Sequence, residues 1–435
     1  MKDLSGLRLV ILLAGLLMLC LQSSAQTEDD LENIDQYIKI ERLSDRVVVI
    51  KTGVNYFDAV TAVATQKGIV VIDAGFSPTL TKKYRTIIEK EFWRDDFAYV
   101  INTHSHWDHT NGNKIFPEAA VVGHQDCRGE MIKDYSDKAV RLNSLRSNLQ
   151  QLKESVQTTG INSEDGQQLD YRKSLVSLAL ADLEADYAWR YPTTTFQDSF
   201  SLDMGDRTFQ LIYFGKAHSE TDVLVYIPEE KLLMAGDLFN KGGGGNLSKL
   251  NHGDIKKADL DRWHEALNFL SGPQIEIDRI RDGHAAMLTK ADLTAFGGNV
   301  EFLRNEFNSG RELSARARLS QVLSNSGLKA MLKEYRAMKK MTRSRYYFFE
   351  SEFIDLGYHR LNDQAVKEAI EVFKIAVEKF PDSWNAYGCL AEAYLKGGKT
   401  KLAIVNYEKS LKLNPQNENA QKMLSQLWEK LNRRR

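Results

Sequence analysis

Between Val100 and Asn113 the chain reads VINTHSHWDHTNGN, so that His104, His106, Asp108 and His109 fall within six positions at the end of an apolar strand. Three of the nine histidines of the chain stand on this one turn. Alternate residues of an extended strand point to the same side, so His104 and His106 can grip one ion together. A centre of this kind draws its further ligands from other strand ends. His218 in FGKAHSETDVLVY, Asp237 in KLLMAGDLF and His284 in IRDGHAAM each follow a short apolar strand and sit beside glycine or another small residue. A fold that unites these seven residues has to bring several strand ends to one sheet edge.

The flanking pattern agrees. RVVVIKTG and AVTAVATQKGIVVIDAGFS alternate β-branched residues with turn residues and read as consecutive strands. LTKKYRTIIEKEF reads as a helix, and FAYVINTHSHWDH as a strand running into the cluster. Strand, helix and strand ending in a polar loop is the α/β arrangement whose sites lie beyond the strand ends. After AVVGHQD the spacing of Leu142, Leu145, Leu149, Leu152 and Val156 is helical. The polar loop TTGINSEDGQQ separates this stretch from a second one, YRKSLVSLALADLEADYAWRY. We expect a helical hairpin inserted over about residues 128–190, either a packing element or a wall over the substrate site. Strands resume with TFQLIYFG, DVLVYI and KLLMAGD.

The donor types limit the chemistry. Beyond the N-terminal leader the cysteines are Cys127 and Cys389, far apart and in different expected domains, so no disulfide is expected between them, and there is no C-x-x-C. Any metal is then held by histidine and carboxylate. A three-histidine centre with an open position suits zinc, which brings the pKa of bound water to about 7 and supplies hydroxide at neutral pH. Two such ions polarise an electrophile and stabilise its leaving group. Iron and manganese are the alternatives to zinc.

From roughly Asp45 to Asn299 the chain resembles the metallo-β-lactamase superfamily. The ordered motifs are the IDAG strand end at Asp73, THSHWDH, GKAHSETD, AGDLF and DGH. The resemblance implies an αββα sandwich with a dinuclear site at one edge. It also implies that His104, His106 and His218 hold the first metal, that Asp108, His109 and His284 hold the second, and that Asp237 bridges them. Asp108 and Asp237 are the catalytic candidates. Asp237 stands where the best-known zinc β-lactamases carry cysteine, whereas thioesterase-like and lactonase-like members carry aspartate. The substrate bond expected is therefore a lactone, thioester, other ester or lactam. Asp73 is read as a brace that holds the metal loop through backbone hydrogen bonds. Lys241 and Asn246, around the KGGGGN run, are either substrate contacts or part of a surface loop. His124, His252, His264 and His359 lack ligand-like company and are read as ordinary packed or surface residues.

At 435 residues, two or more domains are expected. Past Asn299 the strands stop, and a helical linker over residues 300–349 leads into a repeat. Pro381 and Pro415 stand 34 residues apart, the length of a tetratricopeptide repeat. The resemblance to that family rests on Tyr387, Leu390, Ala391, Tyr394, Ala403, Tyr407 and Ser410 in one copy, and on Phe353, Leu356, Gly357, Ala369, Phe373 and Ala376 in the other. Arg360 departs where an aromatic is usual. The expected module is all-α: repeats at 350–383 and 384–417 and a capping helix to 431, offering a groove for a protein partner or self-association, or only a stabilising appendage.

At the other end, Lys2 and Arg8 precede LVILLAGLLMLCL and QSSAQ, the pattern of a signal peptide cut after Ala25. The apolar run is about 13 residues against the roughly 20 of a spanning helix; an uncleaved anchor is the alternative. The mature protein, residues 26–299 forming its catalytic domain, is expected to be exported to the periplasm or outside the cell and free of the membrane. With a net charge of −1 and no large block of one sign before Arg433, nucleic acid is not an expected partner. The function expected is an exported, dinuclear zinc-dependent hydrolase acting on a small molecule; the competing reading is a helical-repeat scaffold with a vestigial metal site.

Overall fold

A computed structural model describes residues 28–53, 58–136, 138–185, 189–216, 218–238, 257–272, 275–284 and 287–432. The leader (residues 1–25), Lys241, Asn246 and His252 lie outside them. The chain divides into two compact units, Met1–Gly242 with Glu265–Leu293, and Gly243–His264 with Thr294–Arg435.

The first unit is built on two sheets. One has the strand order β1 (Ile38–Arg42), β2 (Val47–Thr52), β3 (Asp58–Thr65), β4 (Gly68–Ile72), β5 (Phe97–Ile101), β6 (Ala120–His124) and β7 (Thr194–Phe196). It is antiparallel from β1 to β4 and parallel from β4 to β7. The other runs in space from β13 (Met287–Leu288) through β12 (Arg279–Arg281), β11 (Leu232–Met234), β10 (Val223–Ile227) and β9 (Thr208–Tyr213) to β8 (Ser199–Asp203). Residues 28–35 form α1, and α2 (Pro78–Phe92) crosses between β4 and β5. Ser77 caps α2 by accepting a hydrogen bond from Leu80 N at 3.1 Å, and Pro78 takes the first turn.

Strand period sorts the side chains into two cores. In β4, Val70 and Ile72 face the second sheet, where Phe209, Leu211, Val223, Val225 and Met234 meet them. Ile69 and Val71 turn the other way, onto Leu80, Tyr84 and Ile88 of α2 and onto Leu175 and Leu178. Burial on both faces makes these strands nearly continuous apolar runs rather than alternating ones. The result is the α/β sandwich that the sequence resemblance implies.

The metal-loop helix α3 (Trp107–Thr110) follows β5. The insertion after β6 holds three helices: α4 (Cys127–Ser136), α5 (Lys138–Thr159) and α6 (Glu164–Glu184). The loop expected over TTGINSEDGQQ is therefore shorter than its composition suggests. Ser163 accepts from Gly166 N at 3.0 Å and starts α6 at Glu164, because a hydroxyl at the cap satisfies an amide that a polar, glycine-containing stretch otherwise gives to solvent.

In the rest of the chain, α7 (Lys257–Ser271), α8 (Lys290–Asn308) and α9 (Ala315–Lys340) precede α10 (Glu350–Asn362), α11 (Val366–Lys379), α12 (Trp384–Lys396), α13 (Thr400–Leu413) and α14 (Glu418–Asn432). Two short strands, β14 (Leu313–Ser314) and β15 (Tyr346–Tyr347), pair in parallel, so strands do not stop at Asn299 as the sequence pattern suggested; two residues each are too few to show an alternating period. Phe353, Phe373, Leu390, Tyr407 and Leu424, one from each of the last five helices, share one core with Leu319 of α9. At Gly357 a Cβ would stand 2.3 Å from the Phe373 ring, so α10 and α11 meet where only glycine fits. Cys127 and Cys389 are buried free thiols. No helix among the described residues is long and apolar enough to cross a membrane.

Phe209 is fully buried between the two sheets. Phe209→Ala is expected to lower stability by about 3–5 kcal/mol through lost transfer energy and a residual cavity, measured as a shift of the urea midpoint at unchanged slope.

Candidate metal centre

Strand direction explains where the donors gather. β4 and β5 are parallel, as are β11 and β12, so within each pair the C-terminal ends share an edge. β10 is antiparallel to β11, which sets its N-terminal end, and His218 just before it, at the same edge as Asp237 and His284. The two edges are joined at the loop after β5: Thr103 O accepts from Val223 N at 2.7 Å, and Ser105 N donates to the Thr221 hydroxyl at 3.0 Å.

The strand carrying the histidines ends at Ile101, earlier than the sequence pattern suggested. His104 and His106 lie on the segment beyond it. His106 keeps extended dihedrals, φ −62° and ψ 147°, and stands at the N-cap of α3 without capping it, which leaves its imidazole for the cluster. His106 Nδ1 lies 3.1 Å from His104 Nε2 and 2.9 Å from His218 Nε2. A tetrahedral ion with bonds of 2.0–2.1 Å to nitrogen separates its donors by about 3.3 Å, so these spacings suit one ion within a few tenths of an ångström.

Asp237 stands between this trio and the rest. Its Oδ2 is 3.4 Å from His218 Nε2 and 3.2 Å from His284 Nε2, and its Oδ1 is 3.4 Å from His109 Nε2. Asp108 Oδ2 lies 3.6 Å from His109 Nε2 and 4.0 Å from His284 Nε2. The seven residues named from the sequence thus fall into three overlapping triads: His104, His106 and His218; His104, His109 and Asp237; Asp108, His109 and His284.

Two observations bear on whether an ion fits. His109 Nε2 is buried and makes no hydrogen bond, while facing two carboxylate oxygens. At Gly283 a Cβ would stand 2.4 Å from Asp237 Oδ1 and 2.7 Å from His109 Cε1, so any larger residue would fill the space these donors surround. The chemistry of the donors agrees. Burial, reinforced by His109 and His106, holds His104 well below the ordinary imidazole value. Burial also lowers His106, against the pull of Asp108. Neutral rings of this kind are the ligand form. Burial acts downward on His109 too, but Asp108, Asp73 and Asp237 outweigh it and raise that ring well above its usual value. On His284, burial is likewise outweighed by the hydrogen bond and charge of Asp237, and the ring is raised to about 9. Burial pushes Asp237 up, yet His109 and His284 hold it well below the usual carboxylate range. Carboxylates that draw protons onto buried imidazoles in this way present the charge that a cation would meet.

Asp73 braces the loop by more than the expected backbone contact. Its Oδ1 accepts from Thr103 N at 2.8 Å, and its Oδ2 accepts from the Thr103 hydroxyl at 2.7 Å and pairs with His109 Nδ1 at 2.9 Å. A proton on Nδ1 leaves Nε2 with its lone pair toward the cluster.

Sequence reading passed over two supports. Asp222, buried and pushed up to about 7 by that burial, accepts from Ser219 N and from the Ser219 hydroxyl, and so closes the His218 loop; the HSETD spacing was its signal. Tyr135 of α4 donates to Asn111 Oδ1 at 2.9 Å and lies 3.1 Å from the Thr110 hydroxyl, which donates to His106 O; no local pattern announces it. Of the other histidines, His124 is buried and stacked on Tyr213, His264 is half-buried and 3.3 Å from Glu301, and His359 is exposed.

A two-sheet α/β sandwich with histidines and carboxylates gathered at its strand ends is the build of a metal-binding hydrolase. The chain belongs to the metallo-beta-lactamase superfamily, whose family model matches residues 57–284. Its type 2 metallo-beta-lactamase relative from Elizabethkingia meningoseptica is 24% identical over 254 residues, which span 57% of this chain and 78% of that protein. The one from Bacillus cereus is 23% identical over 273 residues, spanning 60% and 84%. Among solved structures, a metallo-beta-lactamase from Pontibacter korlensis aligns with a TM-score of 0.39 at 18% identity, over 61% of this chain and 99% of that one. The protein is a hydrolase of this superfamily.

Gly283→Ala is expected to push Asp237 and His109 apart and to lower bound metal to half of the wild-type content or less. Elemental analysis beside an unchanged far-ultraviolet circular dichroism spectrum checks this.

Proposed function

We propose that this hydrolase carries two zinc ions, the first on His104, His106 and His218, the second on Asp108, His109 and His284, with Asp237 shared between them. The observation that carries the reading is the convergence of the three donor triads on one sheet edge around a space that Gly283 keeps open. When bound, such ions polarise an acyl group and acidify a water to a pKa of about 7. The chain's own residues do the rest. His104 and His106 stay neutral through burial, Asp73 fixes the ring of His109, and Asp237, with one oxygen toward His109 and the other toward His218 and His284, aligns both groups of ligands. Asp108, at 20% side-chain exposure against 5% for Asp73 and 4% for Asp237, is the carboxylate best placed to meet a proton from solvent or product.

The bond cleaved is that of a lactone, thioester, other ester or lactam. The relatives named above are lactamases by name, and Asp237 in place of the cysteine of the best-known zinc β-lactamases sets the other acyl bonds beside the lactam. We place the protein outside the cytoplasm, after removal of residues 1–25. We divide the mature chain into a catalytic domain to Asn299, a helical linker over 300–349 and two tetratricopeptide repeats over 350–417 capped by α14. The close fit of Gly357 against Phe373 supports that repeat assignment. The repeats offer a surface for a protein partner or a second copy.

Purified mature protein is expected to hold close to two ions, and His106→Ala to lose most turnover on a panel of lactam, lactone, ester and thioester substrates. Protein grown with zinc that contains no metal would overturn the reading. Asp237→Cys is expected to keep the ion on the three histidines and weaken the other, since a thiolate serves one zinc rather than two, and Asp237→Ala to do so more severely. Two ions and undiminished turnover in Asp237→Ala would remove Asp237 from the ligand set.

A further inference from the structure

The inserted helices enclose a cavity of about 210 Å³ against the metal-loop helix. It is lined by Trp107 of α3, Arg141 and Leu145 of α5, Asp182 of α6 and Trp189, among others. A dry cavity of about 150 Å³ takes a benzene ring, so this one has room for a single ring with a small substituent.

Its two charged residues are not equivalent. Asp182 is spent on the start of α2: it accepts from the Ser77 hydroxyl, from the Thr79 hydroxyl at 2.5 Å and from Thr79 N at 3.3 Å. Arg141 is not spent. Its guanidinium carbon lies 5.6 Å from the centre of the Trp107 ring and 5.7 Å from that of Tyr135, and its hydrogen bond is the one from Nη2 to Asp134 O at 3.3 Å. No carboxylate among the described residues pairs with it, whereas its neighbour Arg146 pairs with Glu184 at 2.8 Å. A guanidinium has five N–H donors in a fork that matches a carboxylate, and most of this fork is open. Both aromatic rings lie within the 6 Å at which a ring face attracts a guanidinium, which holds its charge at the cavity wall. Tyr135 is itself stacked on Trp189, with ring centres 3.8 Å apart and planes 3° from parallel.

We propose that this cavity binds a small carboxylate with a planar apolar body, the carboxylate on Arg141 and the body against Trp107, Leu145 and Trp189. Trp107 lies between His106 and Asp108 in sequence, so the occupant touches the helix that carries Asp108 and that His106 immediately precedes. The carboxylate is either the acidic end of a substrate or a separate small acid. Binding in the cavity stands whether or not the two-zinc reading does.

The test is a tryptophan-fluorescence titration of the full-length, metal-loaded protein with benzoate, and with benzyl alcohol as its neutral counterpart. Benzoate is expected to saturate the signal and to bind at least about tenfold more tightly than benzyl alcohol. Arg141→Met is expected to weaken benzoate by about tenfold or more and leave benzyl alcohol unchanged, with Arg141→Lys between. No saturation by ~10 mM benzoate, equal binding of the two probes, or equal benzoate binding by wild type and Arg141→Met each overturns the proposal. Should Arg141→Met not fold, the ratio of the two probes on wild type and the Arg141→Lys titration still decide it. Competition between benzoate and a hydrolysed ester, with a KM increase in Arg141→Met confined to acidic esters, assigns the carboxylate to the substrate. A change in kcat without competition assigns it to a separate acid. Loss of the two-zinc reading would show instead as missing metal, with the titration still readable.

Discussion

Everything at the candidate metal centre hangs on the buried carboxylate of Asp73. It lies just past the end of β4 in a left-handed conformation, φ 55°, which an L-residue other than glycine adopts at a cost of about 1–3 kcal/mol. That strain is offset by what the position achieves. One side chain receives the Thr103 amide, the Thr103 hydroxyl and the His109 ring, and so ties the end of β4 to the loop after β5 and to α3. Three buried polar groups find their partner in a single residue, so its removal would leave them unsatisfied together.

The second sheet is joined to this fixed point through the backbone. With Val223 N on Thr103 O and Thr221 beneath Ser105, the loop that bears His218 is fixed to the loop that bears His104 and His106. The other two donors are aligned in the same way: Ala235 N donates to Arg281 O and Gly283 N to Gly236 O, both at 2.7 Å, which holds the Asp237 and His284 turns side by side. Side chains spaced closely enough to share an ion are thus carried on main chain that hydrogen bonds have already set, which is the condition for a preorganised site.

The strands and the gathering of the seven histidines and aspartates at one edge were legible in the sequence for related reasons. Burial on both faces forces a strand such as GIVVI to be apolar throughout, and coordination restricts ligands to a few residue types beside small neighbours. What escaped had no such restriction. β1 is half-exposed and charged, so IKIER gives little of an alternating signal. α4, CRGEMIKDYS, buries only Cys127 and Met131, too few positions to show a helical period. Tyr135 and Asp222 hold the ligand loops by hydrogen bonds that many polar residues can make, and their value comes from what the fold brings beside them. Arg141 reads in sequence as one more charge on an amphipathic helix; unlike Arg146 it has no carboxylate partner among the described residues, and only the packed hairpin reveals it.

The parallel pairing of β11 with β12 carries a consequence for how the protein matures. The stretch between Met234 and Arg279 has to be laid down before β12 can add to the sheet, and His284 comes after that. Donors at positions 104 and 284 therefore share no local segment, and the loop closure that unites them is paid for by the two sheets. A growing chain carries the first histidine trio's opening pair long before it carries a complete cage. An ion bound there would for that reason meet its full set of donors only in the finished sandwich, with their spacings already set by the two sheets.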